Sequence, residues 1–488
     1  MRRFLLAAIF VATVTVAVAG SVGAGNLKAY EGASWYEKYL AVTGDLVTPP
    51  CPSNTGDLPQ VSFGNNVDAS HECGSQSETY IAINPAHTST VIAGSNEIQR
   101  LPMRAMVSTD DGATFTGHDL PLPPPRTQSG FDFGSDPGVA FDSAGNAFYS
   151  YIIVFFSKGG SINGTEMAVS RAGAADDYST WTPTFFNPQT GEGQFNDKPM
   201  ITVDTGTGGF HHPDRIYVAW DNATGNSSSE KNGNNVLLAY SDDHGVTFSK
   251  PVSVSGNFIG KTGGIGADPY VAADGTLHVA WQDYAHSQIS DVSSTDGGAT
   301  FSAPHTITSV GGFEFDPVAQ STRGALVYPA CAGSPASASA STLYCSFMDD
   351  TAGGTKVFVA KSTDGGVTWP SKVQMPAGGD QFNQWLAVDP SDGSVNVAYY
   401  DTQAKDAPTT LFTLARSTDD GATYSAQAVA TAPTDETGGV GVNLGNQYGD
   451  YEGIAALDGV VRPVWTDRRA DVIALGAREE VFTAKLTP

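Results

Sequence analysis

Reactive side chains crowd one stretch near the C-terminus. Tyr448, Asp450, Tyr451 and Glu452 stand almost side by side, and Asp467, Arg468 and Arg469 follow shortly after. Carboxyls, phenols and guanidiniums together have a definite chemistry. A protonated carboxyl can assist a leaving group while a carboxylate or an activated phenolate works from the opposite side, as in cleavage of a glycosidic bond. Crowded acids raise one another's pKa, which helps to keep one of them protonated. An arginine beside them can hold an anionic ligand or keep a partner acid ionised. Asp450 or Glu452 paired with Asp467 is the leading catalytic choice, with Tyr448 beside them and Asp401 as reserve acid. The plainer reading of Asp467 and Arg468 is a salt bridge at the rim.

Two such segments meet only if the fold brings them together, and the fold is written in repeats. Ser108-Thr-Asp110-Asp-Gly112-Ala-Thr114-Phe115 recurs at Ser241–Phe248, Ser294–Phe301, Ser362–Trp369 and Ser417–Tyr424, with a worn copy at Ser170–Trp181. Its physics is that of a hairpin turn. Ser, Asp and Thr side chains bond turn amides, Gly supplies positive φ, and the closing aromatic packs inward. A second repeat precedes each turn: a polar residue, a short apolar run, often Asp. Its copies start at Glu78, Asp136, Asp197, Asp268, Asp316, Asn383 and Asp450, in steps of 48 to 71 residues. Each step has room for one four-stranded sheet, so the pattern predicts an all-β propeller of seven blades, with six as the alternative. After Asp450 only three strands remain. Gln60–Phe63 is therefore expected to supply the fourth and close the ring, which removes a free sheet edge.

Strand direction then sorts the side chains by face. In a four-stranded meander the inner strand begins where the second strand ends, and the turn between the third and fourth strands lies opposite. The inner-strand starts thus share a face with Asp221, Asp283, Asp350, Asp401 and Asp467, and the S-x-D-x-G-x-T turns occupy the other. Trp220, Trp281, Tyr400 and Trp465 end strands near those acids, where a ring can face the C–H side of a sugar. The same tryptophans also suit packing between blades. A ring of acids can equally cap strand amides or hold a calcium ion near the axis.

The five turns resemble the Asp boxes (BNR repeats) of the sialidase-like propeller superfamily. That resemblance implies a glycan-acting propeller, with the boxes as structural staples remote from the site. Sialidases bring an arginine triad, an Asp acid/base and a Tyr nucleophile activated by Glu. Their early R-I-P motif is absent here, and arginines are few. A triad of Arg104, Arg323 and Arg468 can be written, with Arg469 adjacent, but nothing in the spacing demands it. Three classes stay open: a sialidase-like glycoside hydrolase, which the residues favour, a non-catalytic glycan- or protein-binding propeller, and a polysaccharide lyase. His211 and His212 fall in a loop on the box face, which disfavours them as a lyase base.

Composition narrows the setting. The formal net charge is −26, which repels nucleic acid and anionic membranes. Arg2 and Arg3, the apolar run Phe4–Val16 and Ala17-Val18-Ala19 read as an export signal over residues 1–19. An N-terminal arm over 20–59 and a single propeller domain over 60–488 follow. A secreted monomer without membrane insertion, acting on a glycan or glycoconjugate and needing no cofactor beyond the calcium just considered, is the expectation. Four cysteines suit an oxidising compartment. Cys331 and Cys345 flank a short Ala/Ser-rich loop and are expected to pair, leaving Cys51 for Cys73.

Overall fold

A computed structural model of the chain describes residues 58–124, 131–156, 162–190, 194–224, 234–255, 263–334, 341–376, 378–439, 442–474 and 478–488. The segment expected to be an export signal, most of the expected N-terminal arm and Cys51 lie outside them. Seven antiparallel sheets form a propeller. Blade 1 runs Gln76–Ile83, Val91–Glu97, Arg104–Ser108 and Thr116–Asp119 from axis to rim. Blades 2, 3 and 4 begin at the inner strands Phe131–Phe141, Gln194–Val203 and Gly264–Val271. Blades 5, 6 and 7 begin at Ala330–Gly333, Gln381–Val388 and Ile454–Leu457. Among the described residues no helix is long and apolar enough to cross a membrane.

The second strands show why these residues make blades. Ala147–Phe156 reads AFYSYIIVFF and is buried along its whole length. A sheet covered on both faces needs a continuous run of β-branched and aromatic residues, not an alternating one. The core accordingly lies between blades. Tyr149 of blade 2 packs with Ile92 of blade 1, Phe148 of blade 2 with Val218 of blade 3, and Val464 of blade 7 with Ile81 of blade 1.

The five repeated turns are near-copies in three dimensions. In the first, the Ser108 hydroxyl donates to Asp110 at 2.8 Å and accepts Gly112 N–H at 2.9 Å. Thr114 donates to the same carboxylate through its amide at 2.9 Å and its hydroxyl at 2.6 Å. The set recurs around Asp243, Asp296, Asp364 and Asp419. Each turn's glycine has a φ between 76° and 88°, the left-handed region that glycine enters at little cost. Blade 2 departs from the pattern. Its worn copy forms a 3-10 turn at Ala174–Asp176 followed by left-handed Asp177 and Tyr178.

Two details differ from the sequence reading. The ring is closed from the N-terminal side, but the strand that pairs with Glu480–Ala484 is Asn66–Asp68, and Ser62–Phe63 folds back as a fifth strand outside it. Asn66 explains the choice. Its side chain donates to the Val429 carbonyl at 2.9 Å and accepts from Thr431 and Arg469, contacts that Gln60 cannot make from the neighbouring hairpin. In blade 5 the Asp316 copy is not the inner strand. Pro317 enters a 3-10 turn at Val318–Gln320 inside a small hairpin, Glu314–Phe315 with Ala325–Leu326. The inner strand is Ala330–Gly333, where Cys331 lies opposite Cys345 and is disulfide-bonded to it. Polar Gln320 and Arg323 are thereby carried towards the axis instead of into a blade. Cys73 is also in a disulfide.

Candidate active site

One irregularity, repeated in most blades, builds the axial site. The inner strands of blades 1, 2, 3, 4 and 6 each slip register once, at a bulge. The slipped residues Glu78, Asp136, Lys198, Gly266 and Asn383 have φ between 50° and 66°. Asp136 and Asn383 are of types that enter this region readily, whereas Glu78 and Lys198 are held there against their preference, a local strain that the surrounding structure must sustain. Gly449, at φ 77°, leads into blade 7 against Glu78, and a Cβ there would stand 2.4 Å from Glu78 Cγ. The bulges aim side chains from different blades into one buried volume.

Lys198 is its centre. Its Nζ lies 2.5 Å from Asp450 Oδ2, 3.4 Å from Glu78 Oε1 and 4.0 Å from Asp136 Oδ1. Arg323, from the blade-5 hairpin, grips Asp450 with Nε at 2.9 Å and Nη2 at 2.8 Å, and reaches Glu78 at 3.4 Å. Asn96 donates to Glu78 at 2.5 Å and accepts the Asp136 amide at 2.8 Å. The rings of Tyr451 and Tyr328 flank the ammonium at 5.7 and 6.0 Å, and Tyr451 donates to the Pro137 carbonyl.

Environment drives these acids apart. Burial pushes Glu78 up to about 8 against the pull of Lys198. Asp450 is equally buried, yet Arg323 and Lys198 hold it well below the usual carboxylate range. Lys198 likewise keeps Asp136 low against its burial. Burial and the charge of neighbouring Asp136 raise the pKa of Asp197 well above the usual carboxylate range. Asp450 and Asp136 thus face Lys198 and Arg323 as two acids held low against two cations, with Glu78 raised among them.

The other residues singled out in the sequence lie elsewhere. Asp467 is fully buried and accepts Trp465 Nε1 at 2.9 Å and Arg469 Nη2 at 2.5 Å, while Arg469 reaches on to Asn66. These residues hold blade 7 to the closing strand. Glu452 accepts the Tyr400 hydroxyl at 2.7 Å, a Tyr–Glu pair of the chemical kind the resemblance implies. That phenol is stacked against Phe382 and packed at a tilt against Tyr448, with no exposure. Burial and Glu452 raise its pKa well above normal, the opposite of activation. Tyr448 accepts a hydrogen bond from Thr410 at 3.1 Å. Asp401 caps a loop through the amides of Gly379 and Gln403. Arg104 pairs with Glu72, and Arg468 donates to the Asp435 carbonyl. Trp220, Trp281 and Trp465 are all buried between blades. Of the predicted set, the structure brings Asp450 and Arg323 together at the axis and Asp467, Arg469 and Trp465 together in blade 7.

No protein-family model and no curated protein matches the chain. Among solved structures it is similar to an intramolecular trans-sialidase of Ruminococcus gnavus, at 14% identity over 67% of this chain and 90% of that one, with a TM-score of 0.44. It is also similar to an α-L-arabinofuranosidase of Fusarium graminearum (12% identity, 72% and 92% covered, TM-score 0.42) and to an α-L-arabinanase of Penicillium chrysogenum (9% identity, 84% and 93% covered, TM-score 0.42).

Glu78 and Asp136 were visible in the sequence as repeat starts, and nothing there marked them above the other copies. Lys198 carried a usable signal: it is a cation directly after the repeat start Asp197, and no other repeat start is followed by one. Tyr328 carried none.

Proposed function

We propose that the protein is a glycoside hydrolase, with Glu78 as proton donor and Asp450 as the ionised carboxylate. The observation that carries this reading is the split between two buried acids touching one ammonium, one held protonated near neutrality and the other held ionised. Such divergent pairs mark acid and base roles in hydrolases. Their contacts with Lys198, at 2.5 and 3.4 Å, keep the facing oxygens within about 6 Å of each other, below the ~6.5–9.5 Å of an inverting enzyme. Substrate entry would turn Lys198 from between the two acids towards Asp136. The Asp boxes place the chain beside glycan-acting propellers by resemblance. The charge balance favours a neutral sugar over a sialoside, because Arg323 and Lys198 are already matched by carboxylates and Arg104 and Arg468 are engaged apart from them.

A panel of fluorogenic glycosides, with pentofuranosides, hexopyranosides and a sialoside, tests this. We expect turnover of a neutral glycoside with retention of configuration, lost at least ~100-fold in both Glu78→Gln and Asp450→Asn. Unchanged turnover in both variants would overturn the assignment.

A non-catalytic glycan-binding propeller is the second reading, favoured by depth: Glu78 and Asp136 are 0% exposed and Asp450 is 1% exposed. Retention on a glycan array without turnover of any glycoside would select it.

A further inference from the structure

Among the slipped positions of the inner strands, blade 4 alone has a glycine, Gly266. A Cβ on Gly266 would stand 2.2 Å from Cδ1 of Tyr328. The ring of Tyr328, which comes just before the blade-5 inner strand Ala330–Gly333, therefore lies where blade 4 has no side chain of its own. Gln384 of blade 6 donates to the Tyr328 carbonyl at 2.6 Å and fixes the backbone that carries the ring. The ring centroid is 6.0 Å from Lys198 Nζ and 6.5 Å from that of Tyr451.

The far end of this ring is unfinished. Tyr328 is 2% exposed, and among the described residues its hydroxyl has no hydrogen-bond partner. A buried phenol ordinarily finds one: Tyr451 donates to the Pro137 carbonyl at 3.2 Å, Tyr400 to Glu452 at 2.7 Å and Tyr270 to Asp291 at 3.0 Å. Tyr399 and Tyr424 share the lack, but the acids acting on them are Asp401, Asp419 and Asp420 of blade 6. The charges acting on the Tyr328 hydroxyl are those of the axis, Lys198 and Asp450, with Asp197 and Asp221. Burial raises its pKa well above the ordinary phenol value against the pull of Lys198, the direction away from a phenolate nucleophile. An unpaired buried hydroxyl costs stability, and such a cost is characteristic of a group whose partner arrives with a ligand.

We propose that the Tyr328 hydroxyl binds the 2-hydroxyl of the sugar and so restricts the protein to glycosides that carry one. The assignment rests on the reading of Asp450 as the carboxylate at the anomeric carbon. A hydroxyl beside the Lys198–Asp450 contact then meets the neighbouring ring carbon. A phenol can both donate to and accept from a sugar hydroxyl. Hydrogen bonds at the 2-position strengthen as the oxocarbenium-like transition state forms. A site built for such a bond rejects a ligand that lacks the hydroxyl, because its own group is then left unpaired. The contact disfavours 2-deoxy glycosides, and also sialosides, in which the ring carbon next to the anomeric one is a methylene.

The full chain and its Tyr328→Phe variant are compared on 4-nitrophenyl glycosides and their 2-deoxy counterparts. On the hydroxylated substrate the variant should lose at least ~10-fold in kcat/KM, and on the 2-deoxy substrate less than ~2-fold, because the bond is then already missing. An equal loss on both substrates would overturn the proposal. If no glycoside is cleaved, the hydrolase reading fails by itself. Calorimetric titration with the methyl glycoside and its 2-deoxy analogue then reads the same cycle as Kd, with the same ~10-fold and ~2-fold expectations. One readout needs no ligand. Because the hydroxyl gives up no partner, Tyr328→Phe should melt within ~1 °C of the parent or above it. A larger fall would reveal a structural partner and overturn the proposal, as would a parent that neither cleaves nor binds any of these glycosides.

Discussion

The two faces of this propeller solve opposite problems with the same residue type. On the box face, Asp110, Asp243, Asp296, Asp364 and Asp419 sit at the surface in five near-identical turns. Each satisfies its own turn with a serine and a threonine a few residues away. On the other face Glu78, Asp136, Asp450 and Glu452 are buried, and their partners come from other blades: Lys198 lies 252 residues from Asp450 and Thr79 lies 373 residues from Glu452. The box acids are held ionised. Asp296 and Asp419 are pulled down to about 2, chiefly by the hydroxyls of Thr300 and Thr423. Burial raises Glu78 and Glu452 to about 8. A carboxylate that solves a local problem is repeated and ionised, whereas one that solves a long-range problem is unique and poised.

The harshest way to break this contrast is at the closure, where long-range partners hold the ring. Deleting the chain through Asp68 removes the strand paired with Glu480–Ala484 and uncaps a sheet edge. Loss of the cooperative unfolding transition, with aggregation, is expected by calorimetry. A truncated protein that melts like the parent would refute the closure. Within the same region, Arg469→Met leaves Asp467 buried without its guanidinium, an expected cost of about 3–5 kcal/mol in denaturant unfolding.

Function should divide by face. Glu78→Gln and Asp450→Asn are expected to cost ~100-fold or more in turnover, while Asp296→Ala leaves activity per folded molecule intact. A collapse of specific activity in the box variant at unchanged stability would reverse the assignment of the faces.

The faces should also respond to pH in opposite directions. Glu78, Glu452 and Asp268 have folded pKa values of about 8, above their unfolded values. The folded state therefore binds more protons, and their contribution is greatest in acid and lost as pH rises through about 8. The box acids have folded values below their unfolded ones, so their contribution is present above pH 4 and lost as pH falls through about 2. Melting temperature should decline from pH 5 to pH 8.5. The Glu452→Gln variant should decline less if it folds. A melting temperature that rises across that range would contradict the buried-acid side of the comparison.

The smallest effect expected is in a single box. Asp296→Ala removes the Ser294 and Thr300 hydrogen bonds, at a cost of about 1 kcal/mol because the groups left behind can turn to water. Chemical denaturation would show it as a shifted midpoint with unchanged slope. A loss several times larger would mean that the box acts beyond its own turn.

Local chemistry was enough to make the sequence legible on the box face. Each turn is specified within eight residues, so five turns, seven blades, the face they occupy and the Cys331–Cys345 bridge could all be read in advance. Closure from the N-terminal side was legible as well, because three strands cannot complete a blade. Which residues close it was not, since Asn66 is chosen by Val429, Thr431 and Arg469 from the far end of the chain. The axial site was decided by tertiary structure for the same reason. Asp450 and Asp467 look equivalent in sequence, but one faces Lys198 and Arg323 and the other is locked to Trp465 and Arg469. One-residue bulges set which side of each inner strand meets the axis, and a slip of one position turns every side chain to the opposite face. A repeat read along the chain does not contain that choice, because the energy of burying an acid depends on the charges that the other blades bring to it.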